Sequence, residues 1–260
     1  HARHILAAVD AAEEDLAARR DTPCGPLRVD AASPFMMHVI APLVASYRAL
    51  FPQVVLELCT NEHVIDLLER RTDVAIRIGA LPDSTLHARA IGSSGIRVLA
   101  SPAYLAAHGR PRDVADLAHH TLLGFSRPET LNDWPLPGLV GERAHGRGAR
   151  GARGAAKGAA PTRVATADDG ARLRIVPSLR ASSGETLRQL ALEGAGIVCL
   201  SDFMTRDDRA AGRLVPLLVR QSLAVRQPIH AVYYRNTAVS ARIQSFVDHL
   251  IEGTREQGFD

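Results

Sequence analysis

The sequence predicts an α/β protein built on parallel strands. Three observations between Gly25 and Ile91 carry that prediction: short apolar runs alternate with helical spacings, the pattern repeats as β-α-β-α-β, and polar N-cap residues stand at the junctions. Strands that alternate with helices require right-handed crossovers and a parallel sheet, and such sheets bind ligands beyond the carboxyl ends of their strands.

Residues 1–20 read as a helix. Ala2, Ile5, Val9, Ala12 and Leu16 fall at alternating spacings of three and four, the seam of a short coiled coil, with Glu13, Glu14, Asp15, Arg19 and Arg20 on the wet side. Packing of this helix on its own domain is the alternative. The chain opens without Met, and removal of an upstream segment is the expectation. Asp21 to Pro26 is a linker, because Pro23, Gly25 and Pro26 cannot continue a helix.

Leu27–Val29 is the first strand. Ser33 then offers an N-cap with Pro34 at the first helical position, where its missing N–H costs nothing. Phe35, Val39, Leu43, Tyr47 and Leu50 recur at helical spacing until Phe51-Pro52. Val54 to Cys59 is the second strand, and Thr60-Asn61 starts a short helix with Val64, Leu67 and Leu68 on its apolar face. Asp73 to Gly79 is the third strand. It carries Arg77, which either pairs with Asp66 or Asp73 or touches a ligand. Glu57 reads as a solvated strand residue.

Gly95 to Ala100 is a strand, and Ser101-Pro102 opens a helix that Gly109 closes. A short helix over 113–117 and a strand over 121–125 follow, and Trp134 packs in the second half. His119-His120 reads as solvated or C-capping rather than metal-binding. Residues 141–160 are rich in Gly, Ala and Arg without apolar periodicity, and read as a flexible surface insertion. Gly146 to Gly151 matches GxGxxG by letter but neither follows a buried strand nor opens an apolar helix, so it is no dinucleotide turn. Two short strands lie at 173–176 and 178–181. Ser182 with Glu185 fits a capping box at the start of a helix that Gly194 and Gly196 end. Strands over 197–200, 214–218 and 229–234 and a helix over 239–251 complete the chain.

Composition excludes several classes. The hydrophobic fraction is 46% and the charged fraction 23%, those of an ordinary globular protein, and no apolar run approaches the roughly 20 residues of a membrane helix. The net charge of +3 arises in the insertion, where Arg143, Arg147, Arg150, Arg153, Lys157 and Arg163 face only Glu142. The rest of the chain is mildly acidic and carries no nucleic-acid footprint. Cys24, Cys59 and Cys199 are dispersed, without a CxxC, and fit a reducing cytoplasm. There is no HExxH, GxSxG or Walker loop, so neither catalysis nor a metal or cofactor is expected. What does recur is a hydroxyl or amide near a strand's carboxyl end: Ser33, Thr60, Asn61, Ser101 and the Ser182-Ser183 pair. Each can serve as a helix cap. Several helix N-termini on one crevice would also hold a small organic anion.

Five segments together resemble the effector-binding domain of LysR-type transcriptional regulators: Gly25-Pro26-Leu27-Arg28-Val29, Phe51-Pro52-Gln53-Val54, Asp73 to Gly79, Ser101-Pro102-Ala103-Tyr104-Leu105, and Gly196 to Phe203 with Ala211 to Val215. The resemblance implies two α/β subdomains of periplasmic-binding-protein type, joined by two crossover strands and preceded by a linker helix. Residues 1–20 would be the linker and dimerisation helix, with Ile5, Val9 and Leu16 on its seam. Subdomain I would be 25–99 plus 204–260, and subdomain II 100–203. The resemblance implies a small effector in the cleft between them, contacted by Ser33, Thr60, Asn61, Ser101, Phe125, Ser126, Ser183 and Ser201. It implies self-association as a dimer or tetramer, and promoter DNA bound through a winged helix-turn-helix missing here. Near relatives often carry Asn-Asn-Gly-Glu and Leu-Pro-Asp-Phe where this chain has Ser182-Ser183-Gly184-Glu185 and Leu200-Ser201-Asp202-Phe203. A transport solute-binding protein, which shares the architecture, and an enzyme on a doubly wound fold are the competing readings.

Overall fold

The computed structural model describes residues 22–62, 67, 72–81, 86–138, 164–166, 172–234 and 240–259. The expected linker helix with Ile5, Val9 and Leu16, the basic insertion and most of the short helix after Asn61 lie outside the described residues. The chain forms two compact units: residues up to Ser94 with those from Arg226 onward, and Gly95–Val225.

The first unit opens with β1 (Gly25–Ala31). A continuous helical run follows, made of α1 (Ser33–Phe35), a π-helical turn (Met36–Ile40) and α2 (Ala41–Leu50). Its N-cap is Ala32, without a side-chain cap, so Ser33 is the first helical residue rather than the cap. Phe35, Val39 and Tyr47 are buried at the predicted spacing, whereas Leu50 is 63% exposed at the helix end. The i, i+4 repeat overshoots an α-helical turn, and the wider π turn absorbs part of that drift. Strand β2 (Val54–Thr60) and strand β3 (Val74–Ile78) both run parallel to β1. Strand β4 (Leu86–Ala100) is longer than the sequence shows and passes from the first unit into the second.

In the second unit Ser101 caps α3 (Pro102–His108), its Oγ accepting from the Tyr104 N–H at 3.3 Å, and Gly109 ends the helix with φ 80°. A 3-10 turn at Ala115–His119 replaces the expected helix. Strand β5 (Leu123–Phe125) is followed by β6 (Asp133–Pro137), β7 (Val164–Thr166) and β8 (Arg172–Ile175), which form a separate antiparallel sheet in the order β6-β8-β7. Trp134 is buried in this unit's core, as expected, with Leu117, Leu122, Leu136 and Ile197. Strand β9 (Leu179–Ala181), helix α4 (Gly184–Leu192), strand β10 (Val198–Ser201), helix α5 (Asp202–Ala210) and strand β11 (Val215–Pro216) complete the unit. Ser183, not Ser182, is the N-cap of α4, and its Oγ accepts from the Glu185 N–H at 3.2 Å. The reciprocal capping box therefore does not form, and Glu185 pairs with Arg188 at 2.6 Å instead.

The expected return to the first unit after Ser201–Phe203 falls later, at Val225–Arg226. Buried charge and apolar packing keep 204–225 in the second unit. Asp208, 1% exposed, accepts from Arg188 at 2.6 Å and from Arg213 Nη2 at 2.6 Å, while Leu217 and Leu218 join the core around Trp134. Strand β12 (Arg226–Tyr234) then enters the first sheet antiparallel to β3, giving the order β4-β12-β3-β1-β2 there, and α6 (Ala241–Glu256) packs on the sheet through Phe246, Val247 and Leu250. Among the described residues no helix is long and apolar enough to cross a membrane.

His120 is the C-cap of the 3-10 turn, as expected, its N–H donating to the Leu117 carbonyl at 3.1 Å, but it is buried rather than solvated. Its Nδ1 lies 3.2 Å from the Tyr104 hydroxyl, which also accepts from the Thr121 N–H at 2.9 Å. Desolvation, then the charge of nearby His108, pulls its pKa below 6.5.

Two predictions follow from these buried polar groups. Asp208→Asn leaves Arg188 and Arg213 without their shared carboxylate, and urea denaturation should show a loss of about 3–5 kcal/mol; a change near zero would exclude the anchoring role. For His120 the unfolded chain takes up the proton at a higher pH than the folded one, so stability is lost as pH falls below 6.5. Thermal melts across that range should show this loss in the wild type and a flatter profile in His120→Gln, and an unchanged profile would contradict the assignment.

Candidate functional site

Parallel register brings the first unit's predicted residues to one edge. Ala31 lies beside Thr60, and the chain leaves β2 with the Asn61 N–H donating to the Ala31 carbonyl at 3.2 Å. Ser33 starts the helix two residues beyond β1. Ser33, Thr60 and Asn61 therefore share the carboxyl edge of β1 and β2.

Sequence reasoning missed the acids at that edge. Asp30, fully buried on β1, accepts from the Asn61 amide nitrogen and lies 3.7 Å from the Arg77 guanidinium. Arg77 pairs with Asp30 and not with Asp73, whose carboxylate accepts from the Arg28 N–H at 2.7 Å; Asp66 lies outside the described residues. Burial lowers the Arg77 pKa, and the Asp30 charge opposes that effect. Glu62 accepts from the Ser33 N–H at 3.3 Å, placing a carboxylate at the start of the helix. The signal for Asp30 was an acid inside an apolar strand, Leu27-Arg28-Val29-Asp30-Ala31. Glu57, read as solvated, pairs with Arg28 and remains exposed.

The second unit repeats the geometry. Strands β5 and β9 are parallel, with Phe125 beside Ala181 and the Ser126 N–H donating to the Ala181 carbonyl at 2.9 Å. The chain passes from β9 through Ser182 to Ser183, the cap of α4. A parallel bridge from Leu122 to Ile197, with the Leu123 N–H donating to the Ile197 carbonyl at 2.8 Å, lays β10 along the same direction. Ser201 ends β10 and precedes α5 without a side-chain cap bond. Phe125, Ser126, Ser183 and Ser201 thus belong to one carboxyl edge. Asn132 holds Phe125 there: its Oδ1 accepts from the Phe125 N–H at 2.8 Å and its Nδ2 donates to the Phe125 carbonyl at 2.9 Å. A Cβ at Gly124 would sit 2.5 Å from that Oδ1, so only glycine fits at that position.

Ser101 stands apart. Strand β4 runs antiparallel to β10, with Leu99 beside Val198 and Ile96 beside Ser201, so the carboxyl end of β4 lies at the amino end of β10. Ser101 is buried, its hydroxyl is committed to the Tyr104 N–H, and it neighbours Gly194 beyond the far end of α4. It is a helix cap outside both clusters. Cys199 is buried, which pushes its thiol pKa up and leaves it unreactive. Among the described residues no group of His, Cys, Asp or Glu could hold a metal ion.

Comparison with known proteins accords with this architecture. Residues 20–150 and 157–255 match the LysR substrate binding domain. The HTH-type transcriptional regulator CrgA of Neisseria meningitidis serogroup B is 40% identical over 251 residues, covering 96% of this chain and 74% of that protein. The HTH-type transcriptional activator AaeR of Escherichia coli is 28% identical, covering 98% of this chain and 74% of the relative. Among solved structures, the CrgA regulatory domain of Neisseria meningitidis matches with a TM-score of 0.74 at 40% identity, over 88% of this chain and 98% of that one. The full-length Vibrio cholerae virulence activator AphB shares the fold, with a TM-score of 0.68 at 23% identity over 96% of this chain and 76% of that one. These relatives are transcriptional regulators, not enzymes or transport proteins. The chain belongs to the LysR family, as the substrate-binding domain of a LysR-type transcriptional regulator.

Proposed function

We propose that this domain senses a small anionic metabolite through Ser33, Thr60 and Asn61 of the first unit and Phe125, Ser126, Ser183 and Ser201 of the second. The observation that carries the reading is the repeated gathering of hydroxyl and amide groups at strand carboxyl edges, Thr60 beside Ala31 and Phe125 beside Ala181. The carboxylate falls to the second unit, where Ser126, Ser183 and Ser201 supply hydroxyls and the start of α4 supplies a favourable dipole. Ser101 has no place in this set, since the antiparallel pairing of β4 with β10 puts it at the opposite edge.

The two subdomains then correspond to the two compact units, each with its own carboxyl edge of polar groups. Different affinity for two poses of these units is what makes a ligand a signal. Self-association through the segment bearing Ile5, Val9 and Leu16, promoter binding through a winged helix-turn-helix, and a cytoplasmic location follow from the same reading. Its support is that the relatives are transcriptional regulators.

A thermal-shift screen of small carboxylates, aromatic acids included, tests the site. A compound that raises the Tm of the wild type should lose most of its effect in Thr60→Val and in Ser183→Ala, and should keep it in Ser126→Thr, which preserves a hydroxyl. A hit that stabilises Thr60→Val and Ser183→Ala as well as the wild type would place the effector elsewhere.

A further inference from the structure

The polar groups of the first unit are arranged to accept hydrogen bonds. Asp30 is fully buried and the Asn61 amide nitrogen donates to it. An ionised carboxylate accepts only, so this bond fixes which way the amide faces: nitrogen toward Asp30, oxygen away from it. Asn61 therefore keeps its Oδ1, an acceptor, out of the bond to Asp30. Glu62 is the second acceptor. Its carboxylate receives the Ser33 N–H at 3.3 Å, the position an incoming anion would otherwise use. Arg77 is the one cation described in this cluster, and Asp30 lies 3.7 Å from it, so its charge is offset. Among the described residues two carboxylates, Asp30 and Glu62, stand against the one guanidinium of Arg77.

We infer that the first unit's half of the effector site selects a hydrogen-bond donor, a hydroxyl or ammonium group, with Asp30 as the positioning residue that sets the Asn61 amide and Glu62 as the charge that turns carboxylates away. The inference rests on the effector reading above and narrows it. An effector that this edge accepts therefore carries a hydroxyl or ammonium group besides the carboxylate of the effector reading above. A site built to pair with a donor rejects the analogue lacking it, because its own acceptors are then left unpaired.

Matched probes read this directly by isothermal titration of the 260-residue chain: lactate against propionate, and mandelate against phenylacetate. The wild type should bind the hydroxy acid at least about tenfold tighter than its deoxy partner. Asn61→Ala should bring that ratio to within about twofold while leaving the deoxy acid bound, since only the donor's partner has gone. Asp30→Asn, which frees the amide to flip, should lower the same ratio, a readout that a loss of general stability would not move. Should Asp30→Asn fail to fold, Asn61→Ala carries the test. Glu62→Gln should tighten the deoxy acids by about threefold as like charge is removed. Equal binding of both members of each pair by the wild type would overturn the inference alone. Binding of none of the four acids would overturn the effector reading and the inference with it.

Discussion

Parallel strand pairing sets where every polar group of the candidate site falls. In the first unit the register that puts Ala31 beside Thr60 delivers Ser33 and Asn61 to the same edge. In the second unit Phe125 beside Ala181, and the bridge from Leu122 to Ile197, do the same for Ser126, Ser183 and Ser201. The cores around Val29, Leu123 and Leu200 take most side chains of these strands, β2 excepted, where Val55 and Leu58 are exposed. Polar residues gather at the strand ends beside helix starts, where the Ser33 N–H meets Glu62 and the Glu185 N–H meets Ser183. A one-residue slip in either register would move this set to the wrong face.

Buried charge is the second constraint. Asp208 joins α4 and α5 to the segment after them by holding Arg188 and Arg213, and so fixes the axis of the helix that Ser183 caps. Asp133 holds Arg174 through both carboxylate oxygens, at 2.6 and 2.9 Å, and locks β6 to β8. Asp30 differs from these two, because its partners Asn61 and Arg77 lie at the carboxyl edge of the first sheet. Structural acids of the second unit are spent on holding helices and strands together; the acid of the first unit is spent on orienting an amide.

Much of this was legible in the sequence because it is local. Helical spacing located the run from Phe35 to Tyr47, and Ser-Pro with a following glycine bounded α3 to within a residue. The alternation of strand and helix predicted parallel pairing of β1, β2 and β3. What escaped depends on tertiary placement. Ser101 reads like the other polar residues at strand ends, and only the antiparallel pairing of β4 with β10 removes it to the opposite edge. Segment 204–225 looks like a return to the first half until the pairing of Asp208 with Arg188, 20 residues earlier, is seen. Burial of a polar side chain leaves no periodic mark, which is why neither the buried Asp30 nor the burial of the C-cap His120 shows in the sequence. The shift of the α4 cap from Ser182 to Ser183 is a choice between neighbours of equal propensity, settled by backbone geometry.

The central claim is the proposal that polar residues at strand carboxyl edges contact the effector. Amide chemical-shift mapping of the chain during titration with a stabilising hydroxy acid tests it most directly. The account predicts saturable shifts at Thr60 and Asn61 together with Ser126, Ser183 and Ser201, and an unmoved Ser101. Shifts that cluster around Ser101 and Gly194 while these five amides stay still would contradict it.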